Sequence, residues 1–343
     1  MRAPILLTPG PLTTAPETRA AMGRDWGSRD PGFLALTARV RSGLAALIDG
    51  AGFVAVPIQG SGTFAVEAML GTFVPPKGKL LVAINGAYGR RMAEIARRQG
   101  RACAVIESAE DRPLDPARLR AALAQDAGVT HVALVHCETT TGVLNPLDAL
   151  AAAAGETRLL VDAMSSLGAL PIRATAPIDA IASSANKCLE GVPGLAFVLA
   201  RESALAAARG QAPSLSLDLH DQQRGFADSG EWRFTPPVQV VAALAVALER
   251  HRAEGGVAGR GARYRRNCDA LVAGMRALGF VPLLESEHQA PIIVTFRLPR
   301  DPNFSFAAFY ALLAERGFLI YPGKLATAPS FRIGCIGAID EGD

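Results

Sequence analysis

The chain has 343 residues, half of them hydrophobic, and its 35 Lys+Arg against 32 Asp+Glu leave a formal charge of +3. A near-balanced, scattered charge argues against a nucleic-acid or membrane-surface partner. Five widely spaced cysteines (Cys103, Cys137, Cys188, Cys268, Cys335) with no Cys-x-x-Cys pair suggest neither a disulfide framework nor a structural zinc site.

The first residues hold one short strand, Ile5-Leu6-Leu7, and then a proline-rich turn, Thr8-Pro9-Gly10-Pro11. This apolar piece is too short for a signal segment, and no run approaches the ~18 apolar residues of a membrane span. A soluble, reducing, cytoplasmic setting is expected. Helical patterns follow at 16–22 and 33–48, separated by the loop Asp25-Trp26-Gly27-Ser28-Arg29-Asp30-Pro31-Gly32.

From there strands and helices alternate. The strand candidates are 53–59, 79–85, 102–108, 131–137, 158–164, 178–185 and 195–201, mostly continuous Val/Ile/Leu runs as expected of strands buried on both faces. Helical patterns lie between them at 63–73, 88–99, 115–125 and 146–154. This alternation predicts an α/β fold, a mostly parallel seven-stranded sheet covered by helices. Residues 209–235 read as loop. Thr235-Pro236-Pro237 reads as the start of a long helix, with Thr235 as its N-cap and proline in the first turn. Glu254-Gly255-Gly256 breaks that helix and sets a domain boundary. The expected division is an N-terminal segment 1–15 packing near the active site, a large domain 16–254 and a small α+β domain 255–343. The small domain holds a helix from Arg260, a strand at 292–296, a helix at 306–316 and strands near 318–321 and 330–333.

Ligands of an open parallel sheet bind beyond the carboxyl ends of its strands. Gly60-Ser61-Gly62-Thr63 follows the first strand and opens a helix. It can cradle a phosphate with backbone N–H groups and hydroxyls, or simply cap the helix. It lacks the lysine of a P-loop and the third glycine of a dinucleotide fingerprint. Tyr88, after the second strand, can stack on a flat ring or be core. Glu138-Thr139-Thr140-Thr141-Gly142 follows the fourth. Asp162 ends the apolar run Leu159-Leu160-Val161, where a carboxylate needs a cationic partner or its pKa rises. No second carboxylate or histidine stands at metal-ligand spacing, which disfavours a metal. Lys187 is one of four lysines (Lys77, Lys79, Lys187, Lys324) and the one that lies between apolar runs. Its head can snorkel to water, or desolvation can free the amine as a nucleophile. Together a lysine for an aldehyde, an aspartate for a pyridinium nitrogen and a phosphate cup suit pyridoxal phosphate.

The chain resembles the class V aminotransferases of the fold-type I pyridoxal phosphate enzymes. The resemblance is carried by Leu6-Leu7-Thr8-Pro9-Gly10-Pro11, Gln59-Gly60-Ser61-Gly62-Thr63, Asn85-Gly86-Ala87-Tyr88-Gly89, Glu138-Thr139-Thr140-Thr141-Gly142, Val161-Asp162-Ala163-Met164-Ser165-Ser166, Ser183-Ser184-Ala185-Asn186-Lys187-Cys188, Trp232-Arg233-Phe234-Thr235, Tyr321-Pro322-Gly323-Lys324 and Phe331-Arg332-Ile333-Gly334. The segments span nearly the whole chain. Ser-Ser-Ala-Asn-Lys-Cys and Tyr-Pro-Gly-Lys look most like the branch that handles phosphonates. That implies transfer of the amine of 2-aminoethylphosphonate to pyruvate, in phosphonate degradation.

The resemblance implies roles residue by residue. Lys187 would bind the cofactor aldehyde covalently and move the substrate proton. Asp162 would pair with the pyridinium nitrogen, and Ser61, Gly62 and Thr63 would hold the phosphate. Tyr88 would stack on the ring and Thr139 would contact its oxygen. Thr235 would reach the phosphate of the partner's cofactor in a homodimer with shared sites. Arg332 would grip the carboxylate of pyruvate or alanine. A second cation for the phosphonate is expected among Arg29, Arg90 and Arg91. The loop 25–31 departs from the commoner family pattern, so donor preference could differ. The chain ends at Asp343, where the family continues into a terminal helix, so either a truncated small domain or an unusual terminus is expected. Competing readings are alanine– or serine–glyoxylate transfer and a catalytically silent scaffold on the same fold. A desulfurase would need a mobile cysteine, and Cys335 reads as core.

Overall fold

A computed structural model describes residues 3–323 and 329–343. It opens with β1 (Ile5–Leu6), α1 (Pro16–Ala20) and α2 (Pro31–Ala45). The alternating part is β2 (Phe53–Gln59), α3 (Gly62–Phe73), β3 (Lys79–Ile84), α4 (Ala87–Arg98), β4 (Ala102–Glu107), α5 (Pro116–Gln125) and β5 (Val129–Val135). A short pair, β6 (Cys137–Glu138) and β7 (Val143–Leu144), precedes α6 (Leu147–Ala154), β8 (Arg158–Asp162), β9 (Ile178–Ser184) and β10 (Leu195–Arg201). Four helices follow, α7 (Glu202–Ala207), α8 (Leu219–Ser229), α9 (Val238–Ala253) and α10 (Gly256–Ala277). The chain closes with β11 (Ile293–Arg297), α11 (Phe306–Glu315), β12 (Phe318–Leu319), β13 (Tyr321–Pro322) and β14 (Ser330–Gly334). Lys324, from the Tyr-Pro-Gly-Lys stretch, lies outside the described residues.

The main sheet has seven strands in the order β2-β10-β9-β8-β5-β3-β4. Only β10 is reversed, pairing antiparallel with both β2 and β9. Alternation of side chains along each strand splits the core in two. Val132, Leu134, Leu159, Val161 and Ile181 pack on one face with Phe33, Leu119, Leu147 and Val241. Ala133, Val135, Leu160, Ala180 and Ala182 pack on the other with Val66, Met92 and Phe226. Burial on both faces is what the uninterrupted apolar runs required. The C-terminal part has its own sheet, β11-β14-β13, and β1 pairs parallel with β12. The N-terminal segment therefore starts against the C-terminal part and runs toward the large sheet.

Three expectations need correction. Residues 209–235 are not all loop, because α8 forms within them. Asp218 caps it by accepting from the Asp221 amide at 3.0 Å, Leu219 and Phe226 are buried, and Gly230 ends it in the left-handed region at φ +74°. Thr235 does not cap the long helix. Pro237 stands at that position and Thr235 is exposed. The residue before a proline is pushed out of the helical region, so two consecutive prolines delay the helix to Val238. The next helix begins at Gly256, ahead of Arg260. Gly255 and Gly256, at φ +99° and +66°, make the turn and let α10 start at once.

Candidate active site

The fold brings the ends of β8 and β9 side by side, with Asp162 opposite Ala182 in parallel register. Asp162, the last residue of β8, is 3% exposed, and its Oδ1 accepts from the Met164 amide at 2.9 Å. Burial raises its pKa from 3.8 to about 6, while Lys187 and Arg91 pull the other way. Lys187 lies in the turn beyond β9 rather than on the strand itself. It is half-buried, and its Nζ donates to the Pro9 carbonyl at 2.6 Å. The N-terminal segment thus forms part of the lysine's surroundings. Gly10 is required there twice over. Its φ is +112°, and a Cβ would stand 2.7 Å from the Lys187 Cδ.

α3 supplies the second wall. Its N-cap, Ser61, is extended (φ −82°, ψ 169°) and its hydroxyl makes no cap bond, so that oxygen is not spent on the helix. A Cβ on Gly62 would meet the Met164 sulfur at 2.4 Å, so a larger residue there would have to push the flexible Met164 side chain aside. α4 supplies the third wall with Tyr88, whose amide donates to Glu138 Oε2 at 3.3 Å. Burial, then the Glu138 charge, holds the Tyr88 phenol above its usual pKa. Ser61, Gly62, Thr63, Tyr88, Asp162 and Lys187 all line one cavity of about 190 Å³.

The remaining expected site residues stand apart from that cavity. Thr139 is 3% exposed and shares a 2.6 Å hydrogen bond between its hydroxyl and that of Ser165. Arg332, on β14, is 2% exposed. It donates through Nη1 to the Thr139 carbonyl and through Nε to the Pro322 carbonyl, both at 3.2 Å. Arg332 thereby ties the C-terminal sheet to the turn between β6 and β7, and desolvation lowers its pKa. Thr235 lines a neighbouring cavity of about 460 Å³ with Gln59, Gly60 and Phe64.

Glu138 was quoted in a motif but given no part. It is fully buried, and its Oε1 accepts from the Thr140 hydroxyl at 2.8 Å and the Thr140 amide at 3.3 Å. Burial raises its pKa to about 7, against the pull of those hydrogen bonds. It occupies the space beside Gly86, where a Cβ would sit 2.3 Å from the Glu138 carboxyl carbon. The signal was present in the sequence, an acid directly after an apolar strand, but its partners come from α4 and the Thr140 turn.

Of the three arginines expected to include a second cation, Arg29 pairs with Glu231 at 3.3 Å, its side chain 81% exposed. Arg90 bonds Glu107 at 2.7 Å and Glu110 at 2.6 Å. Arg91 lines the cavity with the six residues above.

A buried acid, an amine at 2.6 Å from a carbonyl and a helix N-terminus with an uncommitted hydroxyl form a donor set that fits an aromatic nitrogen, an aldehyde and a phosphate. Residues 20–335 match the family model described as aminotransferase class-V. A 2-aminoethylphosphonate–pyruvate transaminase of Burkholderia thailandensis is 56% identical over 342 residues, covering 98% of this chain and 93% of that protein. The protein of the same name from Burkholderia ambifaria is 54% identical, covering 100% and 93%. Among solved structures, an alanine–glyoxylate aminotransferase from Nostoc sp. superposes with a TM-score of 0.91 at 28% identity, over 98% of this chain and 91% of that one. An aspartate aminotransferase from Thermus thermophilus gives 0.87 at 28%, over 98% and 94%.

Proposed function

The chain belongs to the class V aminotransferases, pyridoxal phosphate enzymes of fold type I, and on that premise we propose that it transfers the amine of 2-aminoethylphosphonate to pyruvate. The products are phosphonoacetaldehyde and alanine. The observation that carries the reading is the convergence of Asp162 and Lys187 on the cavity that the first turn of α3 also lines. The substrates rest on relatives 54–56% identical over nearly the whole chain.

Pyridoxal phosphate, when bound, supplies an electron sink for the carbon that loses its proton. Everything else falls to the protein. Lys187 would hold the cofactor through its amine and would take and return the proton at the substrate carbon in both half-reactions. Asp162 keeps a proton on the ring nitrogen. Its pKa of about 6 would fall with a cation held beside it. Ser61, Gly62 and Thr63 would hold the phosphate, and Tyr88 would cover one ring face. Thr139, whose hydroxyl is held by Ser165 at 2.6 Å beyond the cavity lining, would bond the ring oxygen. Arg332 takes the substrate carboxylate, a task suited to a planar guanidinium.

We further propose a homodimer in which Thr235 reaches the partner's cofactor. Phe64 (49% exposed) and Phe234 (48% exposed) beside Thr235 support a covered face there. The division at 1–15, 16–254 and 255–343 is proposed on the separate C-terminal sheet and the Gly255–Gly256 turn. A cytoplasmic setting is proposed on five unpaired thiols. Among the described residues no helix is long and apolar enough to cross a membrane.

The nearest competing reading is alanine–glyoxylate transfer, favoured by the Nostoc structure's TM-score of 0.91. A half-reaction separates the two. The loaded protein, without acceptor, is mixed with 2-aminoethylphosphonate, alanine or serine, and its visible absorbance is followed. Bleaching by the phosphonate but not by serine supports the proposal. Bleaching by serine and not by the phosphonate replaces the donor and keeps the family.

A further inference from the structure

Resting on the cofactor reading above, we propose that Arg91 is the counter-cation of the cofactor's phosphate dianion and completes the cup formed by Ser61, Gly62 and Thr63. A phosphate monoester carries about −1.5 to −2 charges near pH 7, whereas a helix N-terminus offers the equivalent of about +0.5. The first turn of α3 alone leaves most of that charge unmet.

Arg91 is placed to meet it. Its Nη1 donates to the Thr63 hydroxyl at 3.1 Å, and its guanidinium carbon stands 4.9 Å from the centroid of the Tyr88 ring. Residues three apart on a helix share a face, so Tyr88 and Arg91 turn to the cavity together. Its neighbour Arg90 points to Glu107 and Glu110 instead. Among the described residues Arg91 makes no salt bridge at contact distance, and the acid its charge acts on, Asp162, lines the same cavity.

The substrate's phosphonate offers the same dianion chemistry. The cofactor's phosphate is favoured because Arg91 bonds Thr63, a member of the cup. The other arginine near Tyr88, Arg332, is anchored to Thr139 and Pro322. Arg91 is bound to the wall that the reading gives to the cofactor's phosphate.

The test is a binding titration of the cofactor-free chain with pyridoxal phosphate and, separately, with pyridoxal, which lacks the phosphate. Wild type, Arg91→Ala and Arg91→Lys are compared at low and high salt. A charge-assisted hydrogen bond at a partly solvated site predicts about a tenfold rise in the Kd of pyridoxal phosphate for Arg91→Ala. Salt dependence should shrink, Arg91→Lys should recover part of the affinity, and pyridoxal binding should not change. With the cofactor saturating, the KM for 2-aminoethylphosphonate should also stay unchanged. An unchanged Kd for pyridoxal phosphate with a raised KM for the donor would overturn the proposal in favour of the substrate's phosphonate. Equal losses for both cofactor forms would reduce Arg91 to a packing partner of Tyr88. A wild-type chain that binds neither form would overturn the cofactor reading itself and this inference with it.

Discussion

Asp162→Asn is expected to stabilise the cofactor-free chain while weakening its hold on pyridoxal phosphate. In the folded chain burial lifts the Asp162 pKa from 3.8 to about 6. The folded state therefore keeps a proton that the unfolded chain has released across that interval. Stability is lost as pH rises from about 4 to about 6 and stays lost above it. A rise from 3.8 to about 6 corresponds to about 3 kcal/mol. Asparagine keeps an oxygen to accept from the Met164 amide, as Oδ1 does at 2.9 Å, and carries no charge to desolvate. Urea unfolding of the cofactor-free protein should show only a small difference between the two chains at pH 4. At pH 8 the midpoint should rise by roughly 1 M for the variant, taking an m-value of ~3 kcal/mol/M. Titration with pyridoxal phosphate at pH 8 should show the opposite sign, a ten- to hundredfold weaker Kd, from loss of a charge-assisted bond of about 1.5–3 kcal/mol. If the variant is less stable at both pH values, or its gain is equal at pH 4 and pH 8, the desolvation argument is wrong.

Gly10→Ala should displace the Lys187 stem, because its Cβ would stand 2.7 Å from Cδ at a φ of +112°. A stability loss of about 1–3 kcal/mol and a lower kcat would be read by denaturation and steady-state assay. Arg332→Lys should raise the KM for pyruvate at least tenfold, since an ammonium cannot make the planar two-bond grip. An unchanged KM would remove Arg332 from the substrate. Glu190 sits at φ +58° and accepts from Tyr264 at 2.6 Å and Arg263 at 2.7 Å. Glu190→Ala strips the buried Tyr264 hydroxyl of its 2.6 Å acceptor, while Arg263 keeps its pair with Glu254. The expected cost is about 2–3 kcal/mol in denaturant unfolding.

The class of fold was legible because strands buried on both faces must be apolar throughout, and strand–helix alternation leaves few topologies. β2 and β10 even kept their expected bounds. The site was legible where chemistry concentrates at strand ends, at Ser61-Gly62-Thr63, Tyr88, Asp162 and Lys187. The hidden features depend on partners distant in sequence. α8 was hidden because its polar composition is helical only by virtue of Asp218 capping it and Phe226 packing inward. Glu138 depends on the Tyr88 amide 50 residues away, and Arg332 on a carbonyl 193 residues away. Choosing among Arg29, Arg90 and Arg91 was likewise a tertiary matter, because adjacent helix positions point about 100° apart. A sequence lists charges along a line. Only the folded backbone determines which of them already face an opposite charge and which face the cavity.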